Sequence, residues 1–114
     1  MVEGGPKMKK THEIRVFREV LPYIINGQKT YEVRVAWNRF RTISVGDILD
    51  FGNGVSKTVT EIQRFASPEE CLGSLDPEKI LPGHTSEELL TIWNERSDPG
   101  GKGKDLGILA FKME

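Results

Sequence analysis

The sequence predicts an α+β fold that is mostly β: a small barrel of about five or six strands, with a short helix after the first strand and a helical insertion before the last. Three observations carry this. Apolar and polar residues alternate with period two in the first half of the chain and again near its end. The connections between the middle strands are of hairpin length, as at Gly52-Asn53-Gly54, which makes those strands antiparallel neighbours. After Phe65 the pattern changes to a series of helix starts. A sheet of so few strands protects its edges best by curling into a barrel, with the helices at its mouth or side.

Residues 1–10 contain glycine, proline and lysine without periodicity, so a flexible lead is expected before a single domain over 11–114, with Met8 an alternative start of the ordered part. H-E-I-R-V-F, His12 to Phe17, alternates as a short strand with Ile14 and Val16 on one face. Glu19 to Asn26 spaces Val20, Leu21, Ile24 and Ile25 as a helix, with Pro22 near the first turn and Gly27 where a left-handed cap is wanted. Thr30 to Trp37 is the clearest strand: Tyr31, Val33, Val35 and Trp37 point one way, Thr30, Glu32, Arg34 and Ala36 the other. A polar bend, N-R-F-R-T, leads to a turn at Gly46 and Asp47 and a strand around Ile48 to Phe51. The hairpin at Gly52 to Gly54 opens the strand from Val55 to Phe65.

Three helices should follow, starting at Ser67 with Pro68 and Glu70, at Asp76 with Pro77, and at Thr85 with Glu88. The first and third have capping-box spacing, and each proline sits just after its cap. The longest, Ser86 to about Arg96, should bury Leu89, Leu90, Ile92 and Trp93. S-D-P-G-G-K-G-K-D reads as a flexible loop and L-G-I-L-A-F-K-M as the closing strand.

Composition narrows the function classes. No apolar run approaches the roughly 20 residues that span a bilayer, and no apolar stretch follows the first lysines as in a secretory signal. A soluble, cytoplasmic protein without a membrane partner is expected. A single cysteine, Cys71, excludes an internal disulfide. The net charge of -1 argues against holding nucleic acid by bulk electrostatics. The charge is unevenly spread, however: residues 1–57 hold ten Lys or Arg against six Asp or Glu, residues 58–114 six against eleven. A local basic patch is compatible with that split.

The motif G-x-K-x-x-E-x-R stands at Gly27, Lys29, Glu32 and Arg34, after the short helix and ahead of V-G-D at Val45 to Asp47. On these residues the chain from Glu13 to Lys112 resembles the ASCH domain family, a branch of the PUA-like superfamily, as a small stand-alone member. The resemblance implies a PUA-like barrel with a cleft beside the first helix, into which the lysine, glutamate and arginine point, and an association with RNA. One branch of that family hydrolyses the amide of acetylcytidine, and some members are reported to cut RNA. In the amidohydrolase branch a threonine stands three positions after the lysine and a glutamate serves from the helical insertion. Here that position is Glu32, and Glu78, Glu87 and Glu88 are all candidates in the insertion, so the hydrolase mechanism does not carry over whole.

The leading expectation is an RNA- or nucleotide-binding module, with Lys29, Glu32 and Arg34 lining the cleft and Arg39, Arg41 and Lys104 touching phosphates. The arginine fork holds a phosphate or base edge bidentately, and a carboxylate accepts from a base amino group. The competing expectation is a small amidohydrolase acting on a modified nucleoside, in which Lys29 activates water and Glu32 shuttles the proton. A protein-interaction module is the third. Each residue also has a plainer use: Lys29 complements the end of the first helix, Glu32 and Arg34 pair on a solvated strand face, and Trp37 packs in the core. Cys71 and His84 lack a third partner for nucleophilic catalysis. Two histidines and one cysteine make a poor zinc site, and G-G-K-G-K lacks the spacing of a phosphate loop. No metal and no cofactor are expected.

Overall fold

The strands of the computed structural model, which describes residues 9–114, are β1 (Thr11–Glu13), β2 (Tyr31–Val35), β3 (Ile48–Gly52), β4 (Val55–Phe65) and β5 (Ile108–Met113). The expectations for residues 1–8, including the start at Met8, lie outside the described residues. The five strands form one sheet in the order β1-β3-β4-β5-β2, curled into a half-barrel. The strand count and the curl agree with the expected small barrel, but the sheet is open on one side and mixed. β1 runs parallel to β3, whereas the other neighbouring pairs are antiparallel. Two short helices, a 3-10 turn and β2 intervene between β1 and β3, and a connection of that length permits the parallel pairing. β1 is three residues long and pairs with β3 alone, so β1 and β2 are the two edges of the sheet.

Six α-helices complete the chain: α1 (Leu21–Ile25), entered through a 3-10 turn at Arg18–Val20, α2 (Asn38–Arg41), α3 (Pro68–Ser74), α4 (Pro77–Ile80), α5 (Ser86–Ile92) and α6 (Gly103–Leu106). The cap residues act as their chemistry demands. Ser67 accepts from Glu70 N, Asp76 from Glu78 N, and Thr85 forms a full capping box with Glu88. The expected polar bend is helix α2 because Phe40 is buried beneath it. The expected long helix is α only to Ile92 and then widens into a π turn, Trp93–Ser97, that seats Trp93 in the core. The expected flexible loop is ordered by Asp98, a buried carboxylate that accepts from Lys102 N at 2.8 Å and Gly103 N at 2.7 Å. Gly103 suits the close packing there, since a Cβ would lie 2.7 Å from Ile108 Cδ1 and 3.0 Å from Asp98 Oδ2 and would displace one of them.

β5 is the spine of the packing. Its odd positions, Leu109, Phe111 and Met113, join Ile24, Phe40 and Leu49 inside the curl, while Ile108 and Ala110 join Val35, Phe65, Cys71 and Trp93 under the helical insertion. A strand covered on both faces reads as the near-continuous apolar run I-L-A-F. No helix of the described residues is long and apolar enough to cross a membrane.

Candidate functional site

α1 ends at Asn26 and Gly27 follows with φ of 82°, the left-handed turn expected of it. Two backbone bonds then fix the entry to β2: Lys29 N donates to Tyr23 O at 2.9 Å and Thr30 N to Lys79 O at 2.8 Å. The Lys29 side chain consequently turns inward and is only 7% exposed. Its Nζ donates to Tyr31 O at 2.6 Å and Ile80 O at 2.8 Å and lies 3.4 Å from Glu32 Oε1. Glu32, 4% exposed, accepts at Oε2 from Arg34 Nε at 2.7 Å. Arg34 continues outward, its terminal nitrogen donating to Arg15 O. The three motif residues therefore form one connected cluster, with Lys29 and Glu32 buried and Arg34 a quarter exposed, which replaces the solvated strand-face pair.

The ionisation of the cluster follows from that geometry. Burial pulls the Lys29 pKa below its usual value and outweighs the opposing pull of Glu32. Burial of Glu32 pushes the other way, but the charges of Lys29 and Arg34 prevail and hold its carboxyl below the usual range. Glu32 Oε1 makes no hydrogen bond, and neither does the buried indole nitrogen of Trp93.

A cleft of 420 Å³ opens at this cluster, where the unclosed side of the half-barrel meets the helical insertion. Its volume lies in the range of small-molecule sites. The segment after β1, Arg15 to Phe17, forms one wall, and Ile80, Leu81, Leu89 and Ile92 form the other. Glu32, Val33, Arg34 and Val35 all line it. Successive strand residues point to opposite faces, so a cleft touching all four runs along the free edge of β2. Among its charged residues Arg15, Lys29, Arg34 and Arg96 face a single carboxylate, Glu32. Phe17 and Trp37, each 45% exposed, present rings to it, and Arg96 stacks 4.0 Å from the Phe17 ring centre.

The expected core role of Trp37 is thus corrected: the strand ends at Val35, and Trp37 N turns back to Val35 O at 2.7 Å, which carries the side chain out of the alternation. Arg39 lies outside this cleft, donating to Glu13 O at 2.8 Å and stacking 4.7 Å from the Phe40 ring centre. Arg41, the last residue of α2, and Lys104, inside α6, are exposed and do not line it either. None of Glu78, Glu87 and Glu88 lines the cleft; Glu78 accepts from Gly83 N and Glu88 belongs to the cap of α5. Arg15, Phe17, Trp93 and Arg96 escaped the sequence reading, because no spacing links residues that meet only through tertiary packing. Cys71 is buried, and burial pushes its thiol up to about 12, which leaves it protonated and unreactive. Among the described residues no three His, Cys, Asp or Glu side chains gather as metal ligands would.

No protein-family model matches the chain, and no curated protein matches it. Solved structures do. The chain is similar to the crystal structure of the hypothetical protein PH0355, with a TM-score of 0.83, 28% sequence identity and coverage of 91% of this chain and 97% of that one. It is also similar to the solution structure of the protein PF0455 from Pyrococcus furiosus, with a TM-score of 0.75, 28% identity and coverage of 91% and 96%. The likeness covers nearly the whole of each chain, so the half-barrel and its helical insertion recur together.

Proposed function

We propose that this chain is an RNA- or nucleotide-binding domain of the PUA-like, ASCH type, with the cleft beside β2 as its binding site. The observation that carries the reading is the convergence of Lys29, Glu32 and Arg34 on one cleft with a cationic excess and two half-exposed aromatic rings. Cations neutralise phosphate and flat rings stack on bases, which is the combination that single-stranded nucleic acid requires. Binding is favoured over amide hydrolysis by the surroundings of Lys29. Tyr31 O, Ile80 O and Glu32 Oε1 already surround its ammonium group. A lysine acting as base would have to turn a lone pair toward one of those oxygens.

Titration with nucleoside monophosphates and with a short single-stranded RNA at two ionic strengths tests this reading. Binding should weaken as salt rises, and Trp37→Ala should cost about 1–3 kcal/mol through lost stacking. Arg41 and Lys104, outside the cleft, would reach only a longer strand, so their removal should weaken RNA more than mononucleotide. No binding at low salt would overturn the proposal, and release of cytidine from acetylcytidine, abolished by Lys29→Ala, would replace it with the hydrolase.

A further inference from the structure

The cations of the cleft fall into two groups. Lys29 Nζ has three N–H donors, and Tyr31 O, Ile80 O and Glu32 Oε1 surround them. Arg34 spends its Nε on Glu32 Oε2 and a terminal nitrogen on Arg15 O. One carboxylate thus engages both motif cations. Arg15 and Arg96 differ. Both line the cleft, both are exposed, and neither belongs to any ion pair among the described residues.

The fold brings these two arginines to one place. From Ile14 to Phe17 the chain alternates: Ile14 and Val16 pack on the core, so Arg15 and Phe17 emerge together on the exposed face. Alternate residues of an extended segment stand roughly 7 Å apart, a span that an arginine side chain covers. Arg96 lies over the Phe17 ring, 4.0 Å from its centre. It is carried by the π turn Trp93–Ser97, which the buried Trp93 anchors and whose last residue, Ser97, also lines the cleft. Stacking on a ring leaves the N–H groups in the guanidinium plane directed outward, in the fork that fits phosphate oxygens. It also removes in advance part of the rotamer freedom that an exposed arginine would lose on binding.

We propose that Arg15, Arg96 and Ser97 form a phosphate subsite of the cleft, separate from the Lys29, Glu32 and Arg34 cluster, which shapes the wall and does not touch the phosphate. This rests on the nucleotide-binding reading and assigns its anionic end. Arg96 donates two parallel N–H bonds to two phosphate oxygens, Arg15 adds the second positive charge, and the Ser97 hydroxyl donates to the third oxygen. The two unpaired charges match the charge of about −1.5 to −2 that a terminal phosphate carries at pH 7. Arg96 covers one face of Phe17, which leaves Trp37 to take the base.

Calorimetric titration of the full chain at low ionic strength with AMP, adenosine and ribose 5-phosphate separates the phosphate from the base. AMP should bind at least about tenfold more tightly than adenosine, as charged hydrogen bonds to a phosphate require. Arg15→Gln and Arg96→Gln, each confirmed as folded by its circular dichroism spectrum, should each cut that advantage at least about threefold, and the double variant should abolish most of it. A role of either arginine in the fold alone would change the affinities for AMP and adenosine together and leave their ratio as it was. Equal affinity for AMP and adenosine, or an undiminished AMP advantage in the double variant, overturns the phosphate subsite while leaving the cleft as a site for the base. Ribose 5-phosphate binding as tightly as AMP retains the subsite and removes the nucleotide reading. Failure of all three ligands and of single-stranded RNA to bind the unmodified chain removes both.

Discussion

Glu32 holds two cations in place from a position with almost no solvent. Its Oε2 takes Arg34 Nε, and its Oε1 stands 3.4 Å from Lys29 Nζ. Removing one member of a buried ion cluster leaves the others uncompensated, which costs about 3–5 kcal/mol. Glu32→Ala should therefore lower stability by about that amount in urea denaturation, and a Lys29→Met change made on top of it should recover part of the loss. Simple additivity of the two substitutions would mean that the residues are not energetically coupled. The placement of the motif residues along the backbone was legible in the sequence, because a left-handed glycine and a period-two strand fix where Lys29, Glu32 and Arg34 lie; a cleft at them was expected only from the family resemblance. Their depth was not legible. Two residues apart on a strand share a face, but whether that face meets water depends on the segment after β1 and on the helical insertion, which come from distant parts of the chain.

The turn into β3 is organised by Asp47. Its carboxylate meets His12 Nε2 at 2.8 Å, Ser44 N at 3.0 Å and Lys10 N at 3.3 Å, and so ties the start of the described chain to the middle of the sheet. The hydrogen bond from His12, then those from the two backbone amides, hold the Asp47 pKa below its usual 3.8 despite burial. In the window between the folded value and 3.8 the unfolded chain binds more protons than the folded one, so stability falls as pH falls through it. Asp47→Asn should flatten that acid limb in urea midpoints measured between pH 2 and 5. An acid limb of undiminished slope in the variant would assign it to other carboxylates. Local chemistry made most elements readable: the caps at Ser67, Asp76 and Thr85 and the hairpin at Gly52 to Gly54 fall where they were expected. The elements misread were those decided by tertiary packing. Phe40 draws a polar stretch into α2, and Trp93 takes the end of α5 into a π turn.

At the scale of the whole molecule the defining feature is an incomplete closure. β1 and β2 are the two edges of the sheet, and side chains bridge them in place of a ladder: Arg34 reaches Arg15 O, and Arg39 reaches Glu13 O at 2.8 Å. Strand count and curl were legible from hairpin spacing, but the parallel pairing of β1 was not, since a three-residue strand has too few side chains to declare its partner. The open side is what leaves room for a cleft along β2, so the arginines that span it maintain the site without filling it. This fixes an expectation for Arg39, which touches the far end of the seam and lies outside the cleft. A hydrogen bond from a charged group contributes about 1.5–3 kcal/mol, and its loss should act first on the short strand that it anchors. Hydrogen exchange of Arg39→Ala should thus show faster exchange at Ile14 N, which donates to Asp50 O, and at Ile48 N, which donates to Lys10 O, by about tenfold or more. Amides in the central β4–β5 ladder should keep their protection, because both of those strands lie inside the sheet and share the core on either face. Uniform acceleration across all five strands would instead make the seam part of the global unfolding unit, and the half-barrel would then open only when the whole molecule does.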